Sequence, residues 1–177
     1  NGNTGEHLSQ SPPLQCERRT KRGTAAKCKG GGARGAAAAK PARKHAILLG
    51  AFGGILENPP PGSEFDLGFD RAPRSYDPHS FVGTRAVSGT VEYRWYVWDS
   101  LLGLFGLGFA GFVDYSGAWY PDQDARWGGN IGFGLRTGSA RGSGASTGRI
   151  DFGYRFGPDA TDSEGGRWAL SFGTGFS

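Results

Sequence analysis

Apolar and polar positions alternate with a period of two through most of the chain beyond residue 86, the pattern of β-strands with two unlike faces. In "AVSGTVEYRWYV" (86–97), Val87, Gly89, Val91, Tyr93, Trp95 and Val97 share one face; Ser88, Thr90, Glu92, Arg94 and Tyr96 share the other. In 104–115, Phe105, Leu107, Phe109, Gly111, Val113 and Tyr115 oppose Leu104, Gly106, Gly108, Ala110, Phe112 and Asp114. "GNIGFGLR" (129–136) sets Ile131, Phe133 and Leu135 against Asn130, Gly132, Gly134 and Arg136. "RIDFGYRF" (149–156) sets Ile150, Phe152, Tyr154 and Phe156 against Arg149, Asp151, Gly153 and Arg155. "RWALSFGTGFS" (167–177) sets Trp168, Leu170, Phe172, Thr174 and Phe176 against Arg167, Ala169, Ser171, Gly173 and Gly175. "AILLGAFGGIL" (46–56) is a further candidate strand.

The longest apolar run, Leu101 to Val113, is too short for a spanning helix, which needs about 20 residues, whereas a spanning strand needs about 9–11. It also carries Gly103, Gly106, Gly108 and Gly111, each a cost to a helix. In the five segments beyond residue 86, every charged side chain lies opposite the apolar face. A soluble sandwich or barrel would turn the apolar face inward, and a membrane barrel would turn it toward lipid. Two features favour the membrane. The small residues of the polar face are Gly, Ala and Ser rather than Lys, Thr and Glu. Aromatic residues (Trp95, Trp98, Tyr115, Trp119, Tyr120, Trp127, Trp168, Phe176) cluster toward segment ends, as interfacial girdles do. Polar, turn-rich connections separate the segments, and 57–85 is a long loop of the kind that is functional or disordered.

Charge divides the chain. Residues 1–45 hold ten Lys/Arg, two acids and no aromatic residue; the remainder holds ten Arg, no Lys, fourteen acids and all 23 aromatic residues. Residues 1–45 therefore read as a disordered basic tail, poor in the apolar side chains that offset chain entropy. A solvated linker outweighs a patch for nucleic acid or an anionic surface. Cys16 and Cys28 match no zinc spacing, and His7, His45 and His79 are scattered, so no metal or other cofactor is expected. No nucleophile–base set or phosphate loop is apparent ("GFGLRTG" lacks the lysine), Asp114 and Asp151 read as isolated, and no enzyme is expected. The chain starts with Asn and has no Met, which predicts a fragment.

Four features in order resemble the C-terminal barrel portion of the outer-membrane surface-antigen superfamily, which includes barrel-assembly insertases and two-partner-secretion transporters. "PRSYDPHSFVG" resembles that family's inward-folding loop with its Arg-Gly-Tyr/Phe tip, here Arg74-Ser75-Tyr76. Glu92 in "TVEYRW" matches a lumenal Glu. Phe112-Val113-Asp114-Tyr115 matches a Phe-x-Asp-x-Gly pattern with Ser116 at the Gly position. The terminal strand carries Trp168, Leu170, Phe172 and Phe176, which the resemblance makes an assembly signal.

The resemblance covers about residues 46–177 and implies an all-β fold: the last six strands of an antiparallel transmembrane barrel in the bacterial outer membrane. A loop would be locked by Arg74, Tyr76, Glu92 and Asp114. It implies a role in protein insertion or polypeptide translocation. Partners would be the lipid bilayer, unfolded or nascent outer-membrane or secreted polypeptides, and N-terminal strands and periplasmic domains of the same chain, with no nucleic acid. A passive outer-membrane channel or anchor is the alternative, and a soluble ligand-binding β-protein the next. The residues support the lock on physical grounds, because a guanidinium entering a low-dielectric interior needs carboxylate partners. Read without the family, Arg74 is a solvated loop cation and "DYSG" (114–117) a turn.

Overall fold

The computed structural model describes residues 5–7, 17–18, 26–27, 29–42, 44–60, 62–68, 72–101, 105–139, 148–160 and 166–174. They contain strands and turns and no helix. In chain order the strands are β1 (Gly5–His7), β2 (Glu17–Arg18), β3 (Ala26–Lys27), β4 (Lys29–Ala42), β5 (His45–Glu57), β6 (Phe65–Leu67), β7 (Phe81–Gly83), β8 (Arg85–Leu101), β9 (Phe105–Trp119), β10 (Arg126–Ser139), β11 (Gly148–Phe156) and β12 (Trp168–Thr174). One antiparallel sheet runs β1-β4-β5-β8-β9-β10-β11-β12: seven strands of seven or more residues, with the short β1 at the edge. Among the described residues it is not closed, and β1 and β12 lie at its two edges. The short pairs β2–β3 and β6–β7 form two separate two-stranded sheets.

The six segments expected from alternation are β5 and β8 to β12. Asp114-Tyr115-Ser116-Gly117, readable as a turn, is continuous strand within β9. The expected disordered tail does not hold for 29–42. β4 pairs with β5 from Lys29–Glu57 to Ala42–His45, with one register shift near Ala39. Composition predicts whether a segment can bury apolar surface of its own. β4, made largely of Gly and Ala, needs only a neighbouring edge whose backbone groups complete its ladder. Of the rest of the tail, the short strands β1 to β3 and 44–45 are described; the other positions, Cys16 and Cys28 among them, lie outside the described residues.

The two faces of the sheet have inverted character. Nineteen large apolar side chains are exposed among the described residues, including Leu49, Val91, Trp95, Phe109, Val113, Ile131, Phe133 (65 % exposed), Phe152 and Leu170. On the opposite face Arg74, Glu92, Asp114, Asn130, Arg136 and Asp151 are buried. The long loop causes that burial. Its β6–β7 hairpin packs over β9. There Phe65, Leu67, Tyr76 and Phe81 meet Leu56, Ala86 and Ala118 in a small apolar core, and Phe52 packs edge-on against Phe65 with ring centroids 5.4 Å apart.

Phe81 is fully buried in this core. Phe81→Ala is expected to weaken docking of the loop by about 3–5 kcal/mol. Proteolysis within 58–84 should quicken while the β-sheet circular dichroism signal stays unchanged.

Candidate functional site

Cross-strand register arranges the polar face in rows. Thr90, Asp114, Asn130 and Arg155 stand side by side on β8 to β11. The next row is Glu92, Phe112, Gly132 and Gly153. The one after is Arg94, Ala110, Gly134, Asp151 and, on β12, Ser171. The fourth is Tyr96, Gly108, Arg136, Arg149 and Gly173. Charged side chains therefore alternate with small ones, and the small positions give long side chains and the loop room to lie flat. At Gly134 a Cβ would collide with the Asp151 carboxylate and come within 2.9 Å of Arg136 Nη1.

Arg74 enters this face from the loop. Its Nε donates to Asp114 Oδ2 at 2.9 Å and its Nη2 to Asp114 Oδ1 at 3.1 Å, a two-pronged fork. Nη1 donates to Glu92 Oε2 at 2.5 Å, and Nη2 also reaches Thr90 Oγ1 at 3.1 Å. The Thr90 hydroxyl in turn donates to Asp114. The backbone N–H of Arg74 points at Asp114 Oδ2 (3.3 Å), and its guanidinium carbon lies 4.3 Å from the centre of the Phe112 ring, a cation–π contact. Burial disfavours the charged guanidinium, but Asp114 and then Glu92 outweigh it and raise its pKa above the ordinary value, so Arg74 stays cationic.

Glu92 is the hub. Besides Arg74 it accepts from Arg136 Nε (2.8 Å) and Nη2 (2.9 Å) and from Arg94 Nε (2.5 Å). Arg136 Nη1 continues to Asp151 Oδ1 at 2.5 Å, and Asp151 Oδ2 lies 3.6 Å from Arg74 Nη1. Asp151, read from sequence as isolated, thus belongs to the same cluster as Asp114. Separation along the chain hid this, since the two side chains are 37 positions apart in sequence while register places them two strands and two rows apart, with β10 between.

Tyr76 anchors the loop beside the ions. Its hydroxyl lies 3.1 Å from both Gly129 O and Phe156 O, so its one proton is shared between two carbonyls. Burial pushes its pKa up to about 12, and its ring meets Phe81 edge-on at 4.9 Å. Ser75 and Ser116, which stand where the resemblance expects glycine, are both accommodated. Ser116 Oγ donates to Ser88 Oγ at 2.8 Å, and Ser75 Oγ accepts from Asn130 Nδ2 at 3.0 Å.

The structure therefore brings Arg74, Tyr76, Glu92 and Asp114 to one docked loop tip. Ser75, between Arg74 and Tyr76 in the tip, joins them, as do Thr90, Asn130, Arg136, Asp151 and Arg155, which were not expected at the tip. The signal available for those five was their shared parity on the polar face. Trp168, Leu170 and Phe172 lie on the opposite, exposed face of β12 and do not meet the tip. Phe176 lies outside the described residues. His79 pairs with Asp66 at 2.6 Å on the surface of the loop. Among the described residues no three His, Cys, Asp or Glu side chains converge as metal ligands would.

Because Glu92 faces three arginines and Asp114 one, Glu92→Gln is expected to cost more than Asp114→Asn. Breaking a buried pair costs about 3–5 kcal/mol, and Glu92→Gln should reach the upper part of that range in denaturant unfolding. Arg74→Lys should not restore docking, since an ammonium cannot supply the fork. A second expectation concerns Tyr76. A pKa raised on folding contributes stability that is complete below the unfolded value near 10 and is lost as pH rises through about 12. Loop proteolysis should rise across that alkaline window in the native chain. Tyr76→Phe, though weaker throughout, should lack the step.

No protein-family model matches the sequence, and comparisons with curated proteins and with solved structures gave no match.

Proposed function

We propose that this chain forms part of a transmembrane β-barrel of the bacterial outer membrane, with the 58–84 loop docked in its interior, and that the barrel serves insertion or translocation of polypeptides. It acts by strand pairing and gating rather than by covalent chemistry. The observation that carries the membrane reading is the inversion of the sheet: apolar side chains exposed, ion pairs buried. In water, contiguous apolar patches beyond a few hundred Å² are rare; in a bilayer the same face is the matched one.

The dimensions agree. From the Arg85–Trp119 pair to the Trp95–Phe109 pair is ten residues on β8. That is about 33 Å along a strand, or about 25 Å of membrane depth at a tilt of roughly 40°, the height of a barrel's apolar band. On the outward positions of β5 and β8 to β12, the described charged side chains are Glu57 and Arg85, both at strand ends. Aromatic rings stack at that end, with Trp119 on Trp127 and Tyr115 on Trp127, each pair 5.7 Å apart. Toward the other end His45 stacks on Tyr93 and Trp95.

In this reading β12 and the opposite edge pair with further strands, because the described sheet is open and a transmembrane barrel leaves no strand edge unpaired. The substrate class, an unfolded or nascent polypeptide, is supported by the family resemblance of the loop tip and by the docked loop itself. A docked loop is a plug whose movement changes what the interior admits.

Phe133→Arg, in mid-strand on the outward face, is expected to destabilise folding into vesicles by about 2–4 kcal/mol, and Thr137→Arg near a strand end by about 1 kcal/mol or less. Equal effects would refute the membrane depth. Function is read in proteoliposomes with an unfolded barrel client. Faster client insertion than in protein-free vesicles supports the proposal. Conductance without that effect selects a passive channel, and failure to partition into vesicles selects a soluble protein.

A further inference from the structure

The three residues of the loop tip do not grip the same strands. Arg74 holds Thr90 and Glu92 on β8 and Asp114 on β9. Ser75 holds β10 and β11: Asn130 Nδ2 donates to its hydroxyl at 3.0 Å, and Arg155 Nε donates to its carbonyl at 2.6 Å. Ser75 is 3 % exposed and Asn130 is fully buried. Beneath the Ser75 hydroxyl lies Gly153, where a Cβ would collide with Ser75 Oγ and stand 3.3 Å from Ser75 Cβ. The side chain missing from Gly153 is the space that the Ser75 hydroxymethyl fills.

The ion cluster alone leaves part of the seat open. The fork on Asp114 orients the guanidinium, but Nη1 is 2.5 Å from Glu92 and also 3.6 Å from Asp151. A small pivot about the fork toward β11 would trade one carboxylate for the other with the charge still paired. Packing is different, because a hydroxymethyl either fits a gap or collides with its wall. We propose that Ser75 and Gly153 form a size-matched positioning pair that fixes where the loop tip seats, while the ion cluster supplies the strength with which it holds. The inference rests on the reading of the docked loop as a plug and names the contact that sets its closed position.

The pair is tested by trypsin cleavage after Arg74, a bond buried when the tip is docked, followed by mass spectrometry on the full chain folded in detergent micelles. Gly153→Ala should speed cleavage by about tenfold or more, the effect of one excess methyl in a packed site. Adding Ser75→Gly should return the rate to that of Ser75→Gly alone. Glu92→Gln should also speed cleavage, but Ser75→Gly should not suppress it. Ser75→Val enlarges only the loop, leaves the sheet sequence intact, and should reproduce the Gly153→Ala acceleration. The proposal is overturned if Gly153→Ala or Ser75→Val leaves cleavage unchanged, or if Ser75→Gly fails to suppress Gly153→Ala. Vesicle partition bears on the membrane reading alone. A chain that fails to insert but shows the suppression refutes the barrel and keeps the pair; one that inserts without the suppression does the reverse.

Discussion

A guanidinium taken out of water must be surrounded by charge of the opposite sign, and the polar face of this protein is organised around that requirement. The idealised cost of moving such an ion into a low-dielectric interior is of order 20 kcal/mol. Only short, well-directed contacts to several carboxylates offset it. Arg74 receives them from β8 and β9, and Asp151 on β11 stands behind. None of the three acids is a neighbour of Arg74 in sequence. The contacts exist because the sheet places Thr90 opposite Asp114, and Asp151 one row below Glu92.

The same constraint accounts for the glycines and alanines of that face. A charged row packed against another charged row would leave no volume for extended arginines or for a loop laid over them. Interleaving Ala110, Gly132, Gly134 and Gly153 provides it. Those positions give up strand propensity and side-chain packing. The ladder of backbone hydrogen bonds and the apolar core under β6 and β7 compensate. Glu92 shows the economy of the arrangement, one carboxylate serving three arginines from the loop, its own strand and β10.

Much of the sheet was legible before any coordinates. The parity of Phe105 to Tyr115, of Ile131 to Leu135 and of Ile150 to Phe156 identified the strands and sorted their faces, because a strand's side chains alternate whatever it pairs with. Arg74, Glu92 and Asp114 were grouped only through the resemblance, with the shared polar parity of two carboxylates on consecutive strands as physical support; without it Arg74 read as a solvated loop cation. Asp151 and Arg136 were not grouped with them, because parity says which face a residue occupies and nothing of which strand lies beside it. The strand at 29–42 was missed for a related reason. Its residues carry no alternation to read, and its order comes from β5.

What the sequence determined by itself is therefore local and one-dimensional: which segments are extended, which side chains share a face, where charge is excluded and where the chain must turn. These follow from backbone geometry and side-chain polarity acting within a few residues. Only the tertiary structure decided that the loop folds back onto the polar face, that Arg74 lies between Glu92 and Asp114, and that Ser75 meets the gap at Gly153. Those contacts join residues 18 to 78 positions apart. They depend on strand order and register, which are fixed by the assembled sheet rather than by any one segment of it.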